Sequence, residues 1–120
     1  MGEGLVTIPR LPIFVIEGLD VSVYSSVDDA QRSLEPWWIK EDRGDVYDAE
    51  GRLMQGEAGR IRVTLSLSEE YPAHAEELEN ALRAYLRAIG SPAGNDQECK
   101  LLCLVDACSK IALADQRKGP

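Results

Sequence analysis

The chain has 120 residues, 44% of them hydrophobic, which fits one domain able to bury a core without a metal or disulfide staple. Its 21 acids against 13 bases leave a formal charge of -8, the wrong sign for nucleic acid or an anionic membrane. That balance suits a basic protein partner, or solubility alone. The first residues lack the charged-then-apolar order of a signal peptide, and no apolar run approaches the ~20 residues of a membrane span, so a cytoplasmic protein is expected.

Residues 1–12 hold Gly2, Gly4, Pro9 and Pro12 and read as an irregular N-terminal arm, in which Leu5, Val6 and Ile8 could add a short edge strand. Residues 13–16 (IFVI) and 21–24 (VSVY) flank a break at Glu17-Gly18-Leu19-Asp20, a hairpin pattern. Ser25 or Ser26 is a suitable N-cap, with Asp28 and Asp29 in the first turn and Val27, Ala30 and Leu34 on one helical face. Pro36 then stops the helix.

Trp37-Trp38-Ile39 reads as the start of a strand, and Gly44-Asp45 as a turn before Val46-Tyr47. Asp48-Ala49-Glu50-Gly51 is the clearest hairpin turn, with Asp first and Gly fourth as a type I turn prefers. Arg52-Leu53-Met54 returns, residues 56–59 form a further break, and residues 60–67 alternate strictly, with Ile61, Val63, Leu65 and Leu67 on one face. A second helix is expected over residues 75–89, with Leu78, Leu82, Tyr85 and Ile89 as its core stripe and Gly90 as its cap. Asn95-Asp96-Gln97-Glu98 resembles a capping box for a third helix reaching about residue 114, and residues 115–120 read as a frayed tail. The fold class is therefore α+β: one domain over residues 1–120, with an antiparallel sheet of four to six short strands and about three helices packed on it.

Catalytic and metal chemistry find little support. Cys99, Cys103 and Cys108 lack the paired knuckles of a zinc site, and on a helix they read as packing residues with reduced thiols. His74 is the one histidine, and no nucleophile elbow, Walker loop or HExxH motif accompanies it. A small enzyme built on His74 and nearby glutamates is a minor reading; no enzyme activity, cofactor or metal is expected. Charge says more. From Glu41 to Glu79 there are eleven acids and four arginines, a net of -7 out of the total -8. Asp42, Asp45, Asp48 and Glu50 lie in or beside turns, where carboxylates could steer a basic partner. Trp37 and Trp38 would point to opposite faces of a strand, leaving one as an interface anchor.

Leu34-Glu35-Pro36, followed by Val46-Tyr47-Asp48-Ala49-Glu50-Gly51-Arg52-Leu53, resembles a class of short bacterial proteins of mostly unassigned function. Some of these are encoded beside secreted polymorphic toxins and are regarded as immunity proteins. The likeness spans residues 13–54 and implies no catalytic residues. The expectation from the chain as a whole is a non-catalytic binding protein, possible as an immunity-type inhibitor that covers a basic toxin or nuclease. Trp37, Trp38, Asp42, Asp45, Asp48 and Glu50 are its candidate contacts. The alternative is a homo-oligomeric interaction module, such as a homodimer.

Overall fold

A computed structural model describes residues 8–117, with side chains described as far as residue 113. Residues 1–7 of the expected arm and 118–120 of the expected tail lie outside the described residues, as do Leu5 and Val6 of the expected edge strand.

The centre is β1 (Ile13–Glu17), in which Ile13, Phe14, Val15 and Ile16 are all buried. An apolar run without alternation belongs to a strand covered on both faces. It pairs with β2 (Asp20–Tyr24) across the two-residue turn Gly18-Leu19, and on its other side with β3 (Asp45–Tyr47). The sheet continues through β4 (Leu53–Ala58) to β5 (Val63–Leu67), every pair antiparallel, in the order β2-β1-β3-β4-β5. On one face Phe14, Ile16 and Tyr47 pack against α3 (Ala75–Ala88) and α4 (Leu101–Arg117), chiefly Leu78, Leu82, Leu86, Leu104 and Cys108. On the other face Ile13, Val15 and Val46 meet Ala30 of α1 (Val27–Ser33) and Trp38 of α2 (Pro36–Lys40). The fold is α+β, as the composition of elements implies, with four α-helices and a short 3-10 turn at Pro92–Asn95.

The additional helix is α2, and it replaces the strand expected at Trp37-Trp38-Ile39. Pro36 explains both neighbours. Leu34, two residues before it, leaves α1 in extended backbone, and the proline itself opens α2, where its missing N–H is no loss. The break expected over residues 56–59 also moves: β4 runs on to Ala58 and the loop is 59–62, closed by Gly59 N–H donating to Arg62 O at 2.7 Å. Gly56 stays within the strand because α2 crosses there; a Cβ on it would lie 2.6 Å from Ile39 Cδ1. Ile61 consequently sits in the loop, 88% exposed, instead of joining Val63 and Leu65 in the core.

In α3 the buried stripe is Leu78, Leu82 and Leu86, while Ile89, the residue that ends the helix, is half exposed. Gly90, at φ +79°, closes it as expected, with Ser91 N–H donating to Leu86 O at 2.8 Å. The helix expected from Asn95 starts instead at Leu101 and extends to Arg117, past the point where fraying was expected. Asn95 ends the 3-10 turn. Cys99, two residues ahead of α4, and Cys103 in its first turn approach to a Cα separation of 5.1 Å and are joined as a disulfide, where reduced thiols were expected. Cys108 is buried, and burial pushes its thiol up to about 11.

The turn 48–51 holds the N-terminal segment, the sheet and α3 together. Asp48 is completely buried. Its Oδ2 accepts from Arg52 Nε and Nη2, both at 2.8 Å, and from Arg10 N–H at 3.0 Å. Its Oδ1 accepts from the backbone N–H groups of Glu50 at 3.0 Å and Arg52 at 2.9 Å. Arg52 spends a further donor on Ile8 O at 2.9 Å. Gly51, at φ +87°, lets the turn close on α3: a Cβ there would stand 2.3 Å from Ala75 Cα. Removing the Asp48 carboxylate strands the Arg52 guanidinium in a buried site, so Asp48→Ala should lower stability by about 3–5 kcal/mol in urea titrations. Glu50→Ala, which loses an exposed pair with Arg10, should cost less than about 1 kcal/mol.

Candidate functional site

β2 is one edge of the sheet, and beside it lies an open cleft of about 420 Å³. Its floor is Val15 and Trp38, and its walls come from β2, from the α1–α2 connection and from Tyr85 of α3. The charged residues lining it are Glu17, Asp20 and Glu35: three carboxylates and, among the described residues, no cation.

Two tryptophans organise the cleft, and α2 gives them different tasks. Successive helical residues point about 100° apart, so Trp38 turns into the core at 8% exposure while Trp37 stays 48% exposed. Trp38 Nε1–H donates to Glu17 Oε1 at 2.9 Å, tying α2 to the β1–β2 hairpin. Trp37 Nε1–H donates to Glu35 Oε2 at 3.0 Å, which fixes its ring beside the helix start. The Arg43 guanidinium lies 5.7 Å from the centre of the Trp37 ring, a cation–π distance. Arg43 also pairs with Glu41 at 3.2 Å and with Glu17 at 3.6 Å. The aromatic is thus held in one pose at the surface, partly exposed, among carboxylates.

The residues singled out from sequence divide into three places. Trp37 and Trp38 belong to this cleft, Trp37 as an exposed ring and Trp38 as buried support. Asp42 and Asp45 are exposed and line a smaller cleft of about 260 Å³ on the far side of Trp38; Asp42 takes φ +51° just beyond the end of α2. Asp48 is the buried centre of the 48–51 turn and so is withdrawn from any surface. Glu50 is held by Arg10 at 3.1 Å and Arg52 at 3.7 Å. Glu17, Asp20 and Glu35 were missed. The signal for the first two was the acidic pair flanking Gly18-Leu19, which closes the hairpin; Glu35 was visible only as the residue before Pro36.

His74 occupies a different position. Its Nδ1 lies 2.8 Å from Glu69 Oε1, Glu69 Oε2 accepts from Leu53 N–H at 3.0 Å, and His74 N–H donates to Gly51 O at 3.1 Å. These bonds clamp the segment before α3 onto the sheet and the 48–51 turn. Among the described residues, no group of three or more His, Cys, Asp or Glu is placed to hold a metal ion, and no helix is long and apolar enough to cross a membrane. No protein-family model, curated protein or solved structure matches the chain.

The clamp carries a pH dependence. The hydrogen bond to Glu69 raises His74 above its ordinary 6.5, against desolvation, with the charges of Glu69 and Glu77 adding to the rise. Desolvation pushes Glu69 up, but the hydrogen bonds from His74 and the Leu53 amide outweigh it and leave the carboxyl below 4.5. The histidine contribution is therefore complete below its unfolded value and is lost as pH rises through the raised folded value. The glutamate contribution is present above its unfolded value and is lost as pH falls through the lowered one. Stability from this pair should peak between those limits. Urea midpoints of the native chain should fall as pH rises above the ordinary histidine value of 6.5, and His74→Gln should remove that part of the decline.

Proposed function

We propose that this chain is a non-catalytic binding protein that uses the cleft at Trp37 to hold a basic protein. Its sharpest form is an immunity-type inhibitor that covers a cationic site on a toxin or nuclease. The observation that carries the reading is the lining of the cleft: three carboxylates and one half-exposed tryptophan held in place, with Arg43 at the margin paired to Glu17.

Each part has a physical role in such a contact. Glu17, Asp20 and Glu35 set a negative potential that draws a cationic surface inward and raises its association rate. Charge-assisted hydrogen bonds to an arriving Arg or Lys then add to steering. Trp37 offers a large apolar area with little rotamer entropy to lose, because Glu35 and Arg43 already restrain it. Trp38 and its bond to Glu17 keep the floor rigid. The resemblance over residues 13–54 to proteins regarded as immunity proteins agrees with this reading and adds nothing catalytic to it.

The test begins with capture of a basic partner from lysate of the native source, eluted by a salt ladder, followed by titration of the purified pair through tryptophan fluorescence. Trp37→Ala should weaken binding about 30-fold, the loss of an aromatic anchor worth about 2 kcal/mol. Glu35→Gln should slow association and flatten its salt dependence. Unchanged affinity in Trp37→Ala would move the contact away from this cleft.

A further inference from the structure

We infer that the partner's contacting element is an extended, basic segment that adds as a sixth strand to the outer edge of β2; this rests on the binding reading above. The two ends of the sheet are not equivalent. At β5 α1 reaches the middle of the outer edge: Leu65 N–H donates to Gln31 Oε1 at 2.8 Å. At β2, among the described residues, no hydrogen bond from another segment reaches the outer edge.

The register identifies the free groups. A two-residue turn joins Glu17 to Asp20, and Glu17 faces Asp20, Val15 faces Ser22, and Ile13 faces Tyr24. In an antiparallel hairpin of this kind the closing pair exchanges its hydrogen bonds, and bonded pairs then alternate. Asp20, Ser22 and Tyr24 therefore bond inward to β1. Val21 and Val23 direct their N–H and C=O groups outward. Proteins usually blunt such an edge with proline, a bulge, lysine or a covering element, and β2 has none of these on its outer side among the described residues.

The neighbourhood selects the occupant. Side chains of an added strand alternate between the two sheet faces. Those paired with Asp20, Ser22 and Tyr24 enter the cleft of Trp37, Glu17 and Glu35, where lysine or arginine is favoured. Those paired with Val21 and Val23 lie on the face covered by α3 and α4, Val21 beside Tyr85 and Val23 beside Ala112 and Leu113, where an apolar residue fits. The fitting sequence is thus basic and apolar by turns. A second copy of this chain is a poor occupant, because edge-to-edge pairing would set two carboxylate-lined clefts side by side on molecules that each carry a charge of -8.

The test uses the full chain and a synthetic peptide of about seven residues alternating Lys and Val, the length an edge strand offers for pairing. Two isomers of it carry N-methyl groups on alternate amides, one set facing β2 and the other facing away. The plain peptide and the outward-methylated one should bind alike. The isomer methylated toward β2 should bind at least about tenfold more weakly, the loss of one or more backbone hydrogen bonds at roughly 1.4 kcal/mol per decade. Hydrogen exchange at the Val21 and Val23 amides should slow by about tenfold or more in the complex, and Val21→Pro, which removes an outward N–H, should weaken binding more than Val21→Ala, which trims the same side chain and keeps the N–H.

Equal binding by both methylated isomers with no new protection at Val21 and Val23 would overturn strand addition. If that binding still fell in Trp37→Ala, the basic-partner reading of the cleft would survive it. Failure of the plain peptide to bind at all would also overturn the inference, and the captured partner's own response to Trp37→Ala would then decide the broader reading separately. Self-association of the chain that disappears in Val21→Pro would make a second copy the occupant and overturn the choice of partner.

Discussion

The buried contact between Asp48 and Arg52 is the constraint on which the other elements depend. One carboxylate collects five donor atoms from Arg10, Glu50 and Arg52, and the same guanidinium reaches back to Ile8. A buried ion pair earns its place only when its remaining hydrogen-bonding capacity is filled. Here it is filled by backbone from separate stretches of chain, among them residues 8–10 and residues 50–52, so the charge is neutralised by the act of bringing those stretches together. The β3–β4 hairpin, the entry to β1 and the start of α3 are thereby fixed to one another, and Gly51 permits the close approach to Ala75 that completes the junction.

From that junction the sheet extends in both directions, and its coverage is uneven. Helices lie over both faces, which is why β1 is apolar at four successive positions. At the β5 edge Gln31 of α1 takes up the Leu65 amide, while the β2 edge opens beside the tryptophans. Backbone groups, an exposed ring and carboxylates coincide at that end of the sheet, where the proposed contact is placed. The His74–Glu69 clamp and the Cys99–Cys103 link serve other places: the first joins α3 to the 48–51 turn, the second ties the first turn of α4 to the segment leading into it.

Much of the fold was legible because it is written in local patterns. The Ser26 cap of α1, the β1–β2 hairpin, the 48–51 turn and the glycine end of α3 each rest on neighbours in sequence. The tryptophan pair was read as strand because five residues are too few to show a helical period, and Pro36 was seen as a stop and not also as a start. The outcome for the rings was nevertheless similar, one inside and one outside, since neither a strand nor a helix points successive side chains the same way. The site was less legible. An aspartate at the first position of a turn looks like a surface carboxylate; Asp48 turns inward onto Arg52, and the N–H of Arg10, 38 residues away, completes its set of donors. Glu17 and Asp20 meet Glu35 only after the hairpin and the α1–α2 connection fold over the same edge, a juxtaposition that no window of sequence contains.

Arg43 gives the cleft a threshold. Stacked near Trp37 and paired with Glu17 and Glu41, it already supplies the cation that the aromatic and two of the nearby acids invite. An arriving lysine or arginine is therefore in competition with a tethered rival at high effective concentration, and gains only by what it adds beyond that resident charge. A lone cationic side chain adds little. A chain presenting several, in register and on one face, displaces or bypasses the incumbent by engaging Asp20 and Glu35 together. In the proposed contact the resident arginine would act as a filter, turning an acidic surface open to any basic molecule into one that discriminates by the spacing of charges.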